Sequence, residues 1–113
     1  MSNARTAAIA LVLLGPAGFA FAGPTLLPDP ETGKALAERL CTNCHLVGSA
    51  RQEQANPDVP SFREIANMPE QTAGAIAGRI MLPKHPMPQI PLTKAELSDL
   101  AAYILTLREP NAN

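Results

Sequence analysis

The chain contains two cysteines and two histidines. Both cysteines and one histidine fall within the five residues "CTNCH", at Cys41, Cys44 and His45. A small core has no packing need for such a cluster, so chemistry is the better explanation for it. Two thiols at i and i+3 lie on neighbouring positions of one helical turn. Each can add to one of two vinyl groups on the same edge of a haem, and the next residue is carried beneath the ring centre, where an imidazole can bind iron. This is the physical content of a C-x-x-C-H run, and it predicts one covalently attached haem c per chain.

Three other chemistries fit the same residues less well. A thioredoxin-like dithiol sits beside alternating strands and helices, and no such alternation is visible. A zinc site needs four ligands. Cys41, Cys44, His45 and His85 would make the set, but the adjacent Cys44 and His45 diverge too sharply for easy tetrahedral closure. A disulfide across a two-residue gap would restrain very little chain.

Iron in a haem has a second axial position, and its occupant decides between electron transfer and small-molecule binding. The candidates beyond His45 are Met68, Met81, His85 and Met87. Met87 stands between Pro86 and Pro88 in "PKHPMPQIP", where fixed φ angles stiffen the backbone. A thioether held there has little freedom to lose and no helix face to pack on. Met81 ends an apolar stripe with Ile80 and Leu82 and reads as core. His85 reads as a solvated loop residue. Met87 is the favoured sixth ligand, with His45 the fifth.

Helices must position these groups. Asp29-Pro30-Glu31 has the order N-cap, first helical position, first-turn acid, and the spacing of Ala35, Leu36 and Leu40 predicts a helix from 30 to about 44. Residues 46–60 are polar and contain Gly48, Pro57 and Pro60, a loop. Residues 61–68 read as a short helix with Phe62, Ile65 and Ala66 inward. Residues 69–82 read as another helix starting at Pro69, with Gly74 and Gly78 allowing close packing. Residues 83–91 are an extended loop. Residues 92–108 form the clearest helix, opened by a Thr93/Glu96 capping box and carrying Leu97, Leu100, Ala101, Ile104 and Leu107 as one stripe. No segment alternates with period two, so the expected fold is all-α, with about four short helices.

The first residues form a separate unit. Arg5 precedes an apolar run from Ala7 to about Ala22 that Gly15 and Pro16 interrupt, and the small residues Ala20 and Ala22 suit a signal peptidase. Residues 1–22 therefore read as a signal peptide and 23–113 as the mature domain. The alternative is an uncleaved anchor, although the run is short for a span of about 20 apolar residues. Loss of Arg5 leaves eight Lys+Arg against ten Asp+Glu, a net charge of −2. That balance excludes the electrostatic footprint of a nucleic-acid binder. Beyond the leader the chain has no Trp, one Tyr (Tyr103) and one Phe (Phe62). A core this poor needs help, and a large apolar cofactor supplies it.

From Gly33 to Leu107 the chain resembles a small class I cytochrome c of the bacterial periplasmic kind. "CTNCH" matches the haem-attachment motif. "VPSF" resembles the stretch in which a proline carbonyl accepts the haem histidine's Nδ1–H, which the resemblance assigns to Pro60, with Pro57 second. "HPMPQIPLTKAELSDLAAYILTL" resembles the methionine loop and C-terminal helix, and the family ligand falls on Met87. Gly33 matches a family glycine where the first and last helices cross, with Leu100 and Tyr103 as implied partners. Ala37 departs from the aromatic residue many members carry four positions before the first cysteine.

The expectation is a soluble, monomeric one-electron carrier in the periplasm, serving a dehydrogenase, reductase or oxidase, with neither nucleic acid nor stable membrane insertion. Leu40, Phe62, Ile65, Ile80, Leu92, Leu97, Leu100 and Ile104 are candidates for an apolar pocket. The haem edge near Cys41 and Cys44 would be the electron port, with Lys84 and Lys94 available to bias docking. No acid–base pair or activated nucleophile is visible, so the chain reads as a non-enzyme. The competing readings are a haem-based ligand-binding or sensor protein with a weak or vacant sixth position, a haem subunit of a larger oxidoreductase complex, and a haem-free two-cysteine domain.

Overall fold

The structure, a computed structural model, describes residues 27–48 and 52–110. The expected signal peptide, and the anchor that is its alternative, lie outside the described residues. The described residues form four helices in order: α1 (Pro30–Leu40), α2 (Phe62–Ala66), α3 (Ala73–Met81) and α4 (Lys94–Thr106). Among the described residues there is no strand, as the absence of period-two patterning implied, and no helix long and apolar enough to cross a membrane.

Each helix starts where a side chain satisfies its free N–H groups. Asp29 caps α1, accepting from the backbone N of Glu31 at 3.0 Å and from Thr32 Oγ1 at 2.7 Å. Both α2 and α4 open with complete capping boxes, Ser61/Glu64 and Thr93/Glu96. Thr72 caps α3 through the backbone N of Ala75 at 3.1 Å.

α2 and α4 are each one or two residues shorter at both ends than expected, and two boundaries differ by more. α1 stops at Leu40 rather than near 44. Beyond it, the backbone N–H groups of Cys44 and His45 both fold back onto the Cys41 carbonyl, at 3.2 and 2.9 Å, so "CTNCH" is a tight turn capping the helix. α3 begins at Ala73 rather than Pro69, because Glu70 has φ 56°. That left-handed conformation cannot lie within a right-handed helix.

α4 is the spine, with α1, α2 and α3 all packing on it. Gly33 is buried where α1 crosses α4. A Cβ there would collide with the Asp99 carbonyl oxygen and lie 2.9 Å from Leu100 N. The resemblance implied Leu100 and the ring of Tyr103 as partners. Leu100 holds, but the space is taken by α4 backbone rather than an aromatic ring. The crossing is reinforced by the backbone N–H of Asp29, which donates to Asp99 Oδ1 at 2.8 Å. Ala37 is fully buried, so its small side chain suits the close approach of the two helices.

The core gathers Leu36, Ala37, Phe62, Ile76, Leu100 and Ile104 with their neighbours. Phe62, Ile80, Leu97, Leu100 and Ile104, all named as pocket candidates, are buried, while Leu40, Ile65 and Leu92 are half-buried and pack against them. Three expectations fail. Ala35 is exposed, and Gly33 and Ala37 supply the inward face instead. Gly74 and Gly78 are both exposed, and an added Cβ at Gly78 would meet nothing within 4 Å, so neither mediates close helix packing. Met81 is 54% exposed and not core. On α3 the inward positions are Ile76 and Ile80, and Met81, one residue further, is turned about 100° away from Ile80.

Candidate functional site

The turn that ends α1 brings Cys41, Cys44 and His45 together. Cys41, the C-cap, is buried and joins the apolar core, while Cys44 is exposed. Neither cysteine is bridged. Burial, with the neighbouring Cys44 adding to it, pushes the Cys41 thiol up to about 11. As a free thiol, before any haem is attached, it therefore stays protonated at neutral pH, the opposite of what a cysteine nucleophile requires.

His45 is held from two sides. Its Nδ1 lies 2.7 Å from the Pro60 carbonyl oxygen. A carbonyl can only accept, so Nδ1 carries a proton, and in the neutral ring Nε2 keeps its lone pair. The ring also tilts against Phe62, with centroids 5.4 Å apart at 49°. Phe62 in turn meets Tyr103 edge-on at 6.4 Å.

Four consecutive carbonyls of this segment are anchored from four directions. Asn56 N donates to Cys44 O at 2.9 Å, Gln52 Nε2 to His45 O at 3.0 Å, Phe62 N to Leu46 O at 2.9 Å and Tyr103 Oη to Val47 O at 2.6 Å. Sequence reasoning missed the last of these. The signal for it was a lone Tyr one helical turn beyond Leu100, since a buried Tyr hydroxyl usually needs a partner. The Gln52 contact left no signal, because a polar residue in a polar loop looks like any other.

The four candidate sixth ligands differ in exposure. Met87 is half-buried and packs against the core, within a turn closed by Met87 N donating to the Lys84 carbonyl at 3.0 Å. Met68 is 44% exposed, Met81 is 54% exposed and His85 is exposed. No cluster of three or more His, Cys, Asp and Glu side chains that could hold a metal ion forms among the described residues. The zinc set of Cys41, Cys44, His45 and His85 is therefore not assembled.

The residues of the turn could hold a haem, with two unbridged thiols and an imidazole side by side. The Met87 thioether, packed against the apolar core, is a candidate for a further ligand. The cytochrome c family model matches residues 30–108. The chain is also 40% identical over 83 residues to cytochrome c-552 of Bradyrhizobium diazoefficiens, covering 74% of this chain and 79% of that protein. No solved structure matches it significantly. The chain belongs to the cytochrome c family. It is a c-type cytochrome with a class I fold, an electron carrier whose cofactor is covalently bound haem c.

Proposed function

We infer that this protein is a periplasmic monohaem carrier in which Cys41 and Cys44 hold the haem by thioethers and His45 and Met87 are the axial ligands. The observation that carries the reading is the 2.7 Å contact between His45 Nδ1 and the Pro60 carbonyl. It fixes the tautomer, points Nε2 away from the protein backbone that holds the ring, and makes the imidazole a stronger donor.

Once bound, haem c supplies one iron that exchanges a single electron between its ferric and ferrous states. The chain does the rest. Pro60 and Phe62 orient the imidazole. The Pro86-Met87-Pro88 segment presents a thioether with little conformational freedom to lose. Ile80, Leu97 and Leu100 are buried apolar side chains that keep the pocket dry. A Met ligand and a dry pocket both disfavour the ferric charge and raise the potential.

Export rests on residues 1–22 acting as a cleaved leader, which agrees with haem attachment occurring outside the cytoplasm. The similarity to a cytochrome c-552 supports a carrier. Its partners are redox proteins, a dehydrogenase, reductase or oxidase, met by a monomer through a small and brief interface. The exposed Cys44 marks the edge through which electrons would pass, and Lys84 and Lys94 are exposed as well.

Absorption spectroscopy tests the ligation. The oxidised protein should show the weak near-infrared charge-transfer band of Met–iron bonding, and Met87→Ala should abolish it. Rapid CO binding by the reduced wild type would instead support a ligand-binding or sensor protein.

A further inference from the structure

We propose that Gln52 is a positioning residue for the axial imidazole, acting as a side-chain clamp on the peptide that carries His45. The proposal rests on His45 being an iron ligand. Gln52 is half-buried behind the "CTNCH" turn. Its Oε1 accepts from Val47 N at 2.8 Å, and its Nε2 donates to His45 O at 3.0 Å, with Thr42 O further off at 3.5 Å. One carboxamide thus spans the turn on both sides of the imidazole, from Thr42 to Val47.

The arrangement calls for an amide. The site needs an acceptor for an N–H and a donor for a carbonyl about one amide width apart. A carboxylate of the same shape would satisfy Val47 N but would set its second oxygen against His45 O. A hydrocarbon would satisfy neither and would leave two half-buried backbone groups without partners. The carbonyls of Cys44 and Leu46 are held by backbone N–H groups and that of Val47 by a phenol. The His45 carbonyl, like that of Val47, is held by a side chain, so its contact can be removed by substitution.

Pro60 grips the His45 ring at Nδ1 and Gln52 grips its backbone, so the two contacts fix the side chain at both ends. Without the backbone grip, the ring can rotate relative to Pro60 and the Nδ1 bond lengthens. A weaker Nδ1 bond makes a poorer donor, which disfavours the ferric state and raises the potential.

The test uses purified holoprotein and three variants. Gln52→Leu removes both contacts. Gln52→Glu keeps the shape and the acceptor for Val47 N but loses the donor to His45 O. Asn67→Ala is the structural control. Asn67 ties α2 to residues beyond α4, donating to Arg63 O at 2.7 Å and accepting from Glu109 N at 2.9 Å, and none of its hydrogen bonds reaches residues 41–45. Low-temperature EPR of the oxidised protein reads the orientation of the imidazole plane, and redox titration reads the potential. Both Gln52 variants should shift the g-values. Gln52→Leu should also lower the ferric-to-ferrous ratio several-fold at a fixed ambient potential. Asn67→Ala should lower the melting temperature and leave g-values and potential unchanged. If both Gln52 variants melt lower with wild-type g-values, the clamp is only structural and the proposal fails. Should Gln52→Leu not fold, Gln52→Glu alone decides by the same g-value shift. A wild type without His/Met low-spin signals would overturn the ligation reading itself, a result distinct from either outcome above.

Discussion

The Nδ1 of His45 lies 2.7 Å from the carbonyl oxygen of Pro60, fifteen residues further along the chain. This contact joins the turn at the end of α1 to the residue that leads into α2. Its geometry depends on Phe62, which is only 4% exposed and packs between the His45 and Tyr103 rings. Phe62→Ala should therefore destabilise the holoprotein by about 3–5 kcal/mol, the usual cost of emptying a buried aromatic site. Guanidinium unfolding followed by circular dichroism measures it.

Gly33 fixes how closely α1 and α4 approach. Gly33→Ala pushes a methyl group into the Asp99 carbonyl, and helical backbone cannot yield as a flexible side chain would. The gain in helix propensity, about 1 kcal/mol, is outweighed by overpacking of about 1–3 kcal/mol or more. Thermal unfolding should show a lower melting temperature, where an exposed helical glycine such as Gly78 should show a higher one when changed to Ala.

Tyr103 donates to Val47 O, so the fold requires its phenol to be protonated. Burial raises its pKa above 10.0, and the charges of Glu38 and Glu31 push the same way. A raised acid contributes stability that is complete below pH 10 and is lost as pH rises through the folded value. Tyr103→Phe should cost about 1–3 kcal/mol at neutral pH, the penalty for stranding a buried carbonyl. It should also flatten the fall in stability above pH 10, measured by denaturant midpoints across pH.

The capping boxes give the acid limb. Hydrogen bonds from the Ser61 backbone and hydroxyl lower the pKa of Glu64, and the Thr93 backbone and hydroxyl do the same for Glu96. A depressed carboxyl contributes stability that is present above the unfolded value, near 4.5 for Glu, and is lost as pH falls through the folded value. The melting temperature should drop as pH falls below about 4.5. The combined Glu64→Gln and Glu96→Gln variant should lose much of that dependence.

Local patterns make much of the fold legible in the sequence. Pro30 after Asp29, and Glu96 three residues after Thr93, are short-range chemistry, so α1 starts at Pro30 as expected and the Thr93/Glu96 box caps α4, although the helix begins at Lys94 rather than 92. The three-residue spacing of Cys41 and Cys44 marks the attachment motif but not its conformation, since the expected helix ran on to about 44 and α1 ends at Leu40. Long-range facts were less legible. Only family resemblance pointed to Pro60, because no local rule links residues 45 and 60. That Asp99 backbone fills the space beside Gly33, and that Gln52 reaches back to His45, are consequences of tertiary packing. The start of α3 was misread because Pro69 is a good first helical residue, and nothing in "PEQT" betrays the left-handed Glu70. Met81 was misread because an apolar run at a helix end does not reveal which of its members faces inward.

The most direct measurement is mass spectrometry of the purified protein, followed by proteolysis and sequencing of the fragment spanning residues 41–45. The predicted result is a mass exceeding that of the polypeptide by a single haem, with the increment on the fragment that holds Cys41 and Cys44. A protein made alongside haem-attachment machinery that weighs only as much as its amino acids, or that carries the increment elsewhere, would contradict the account.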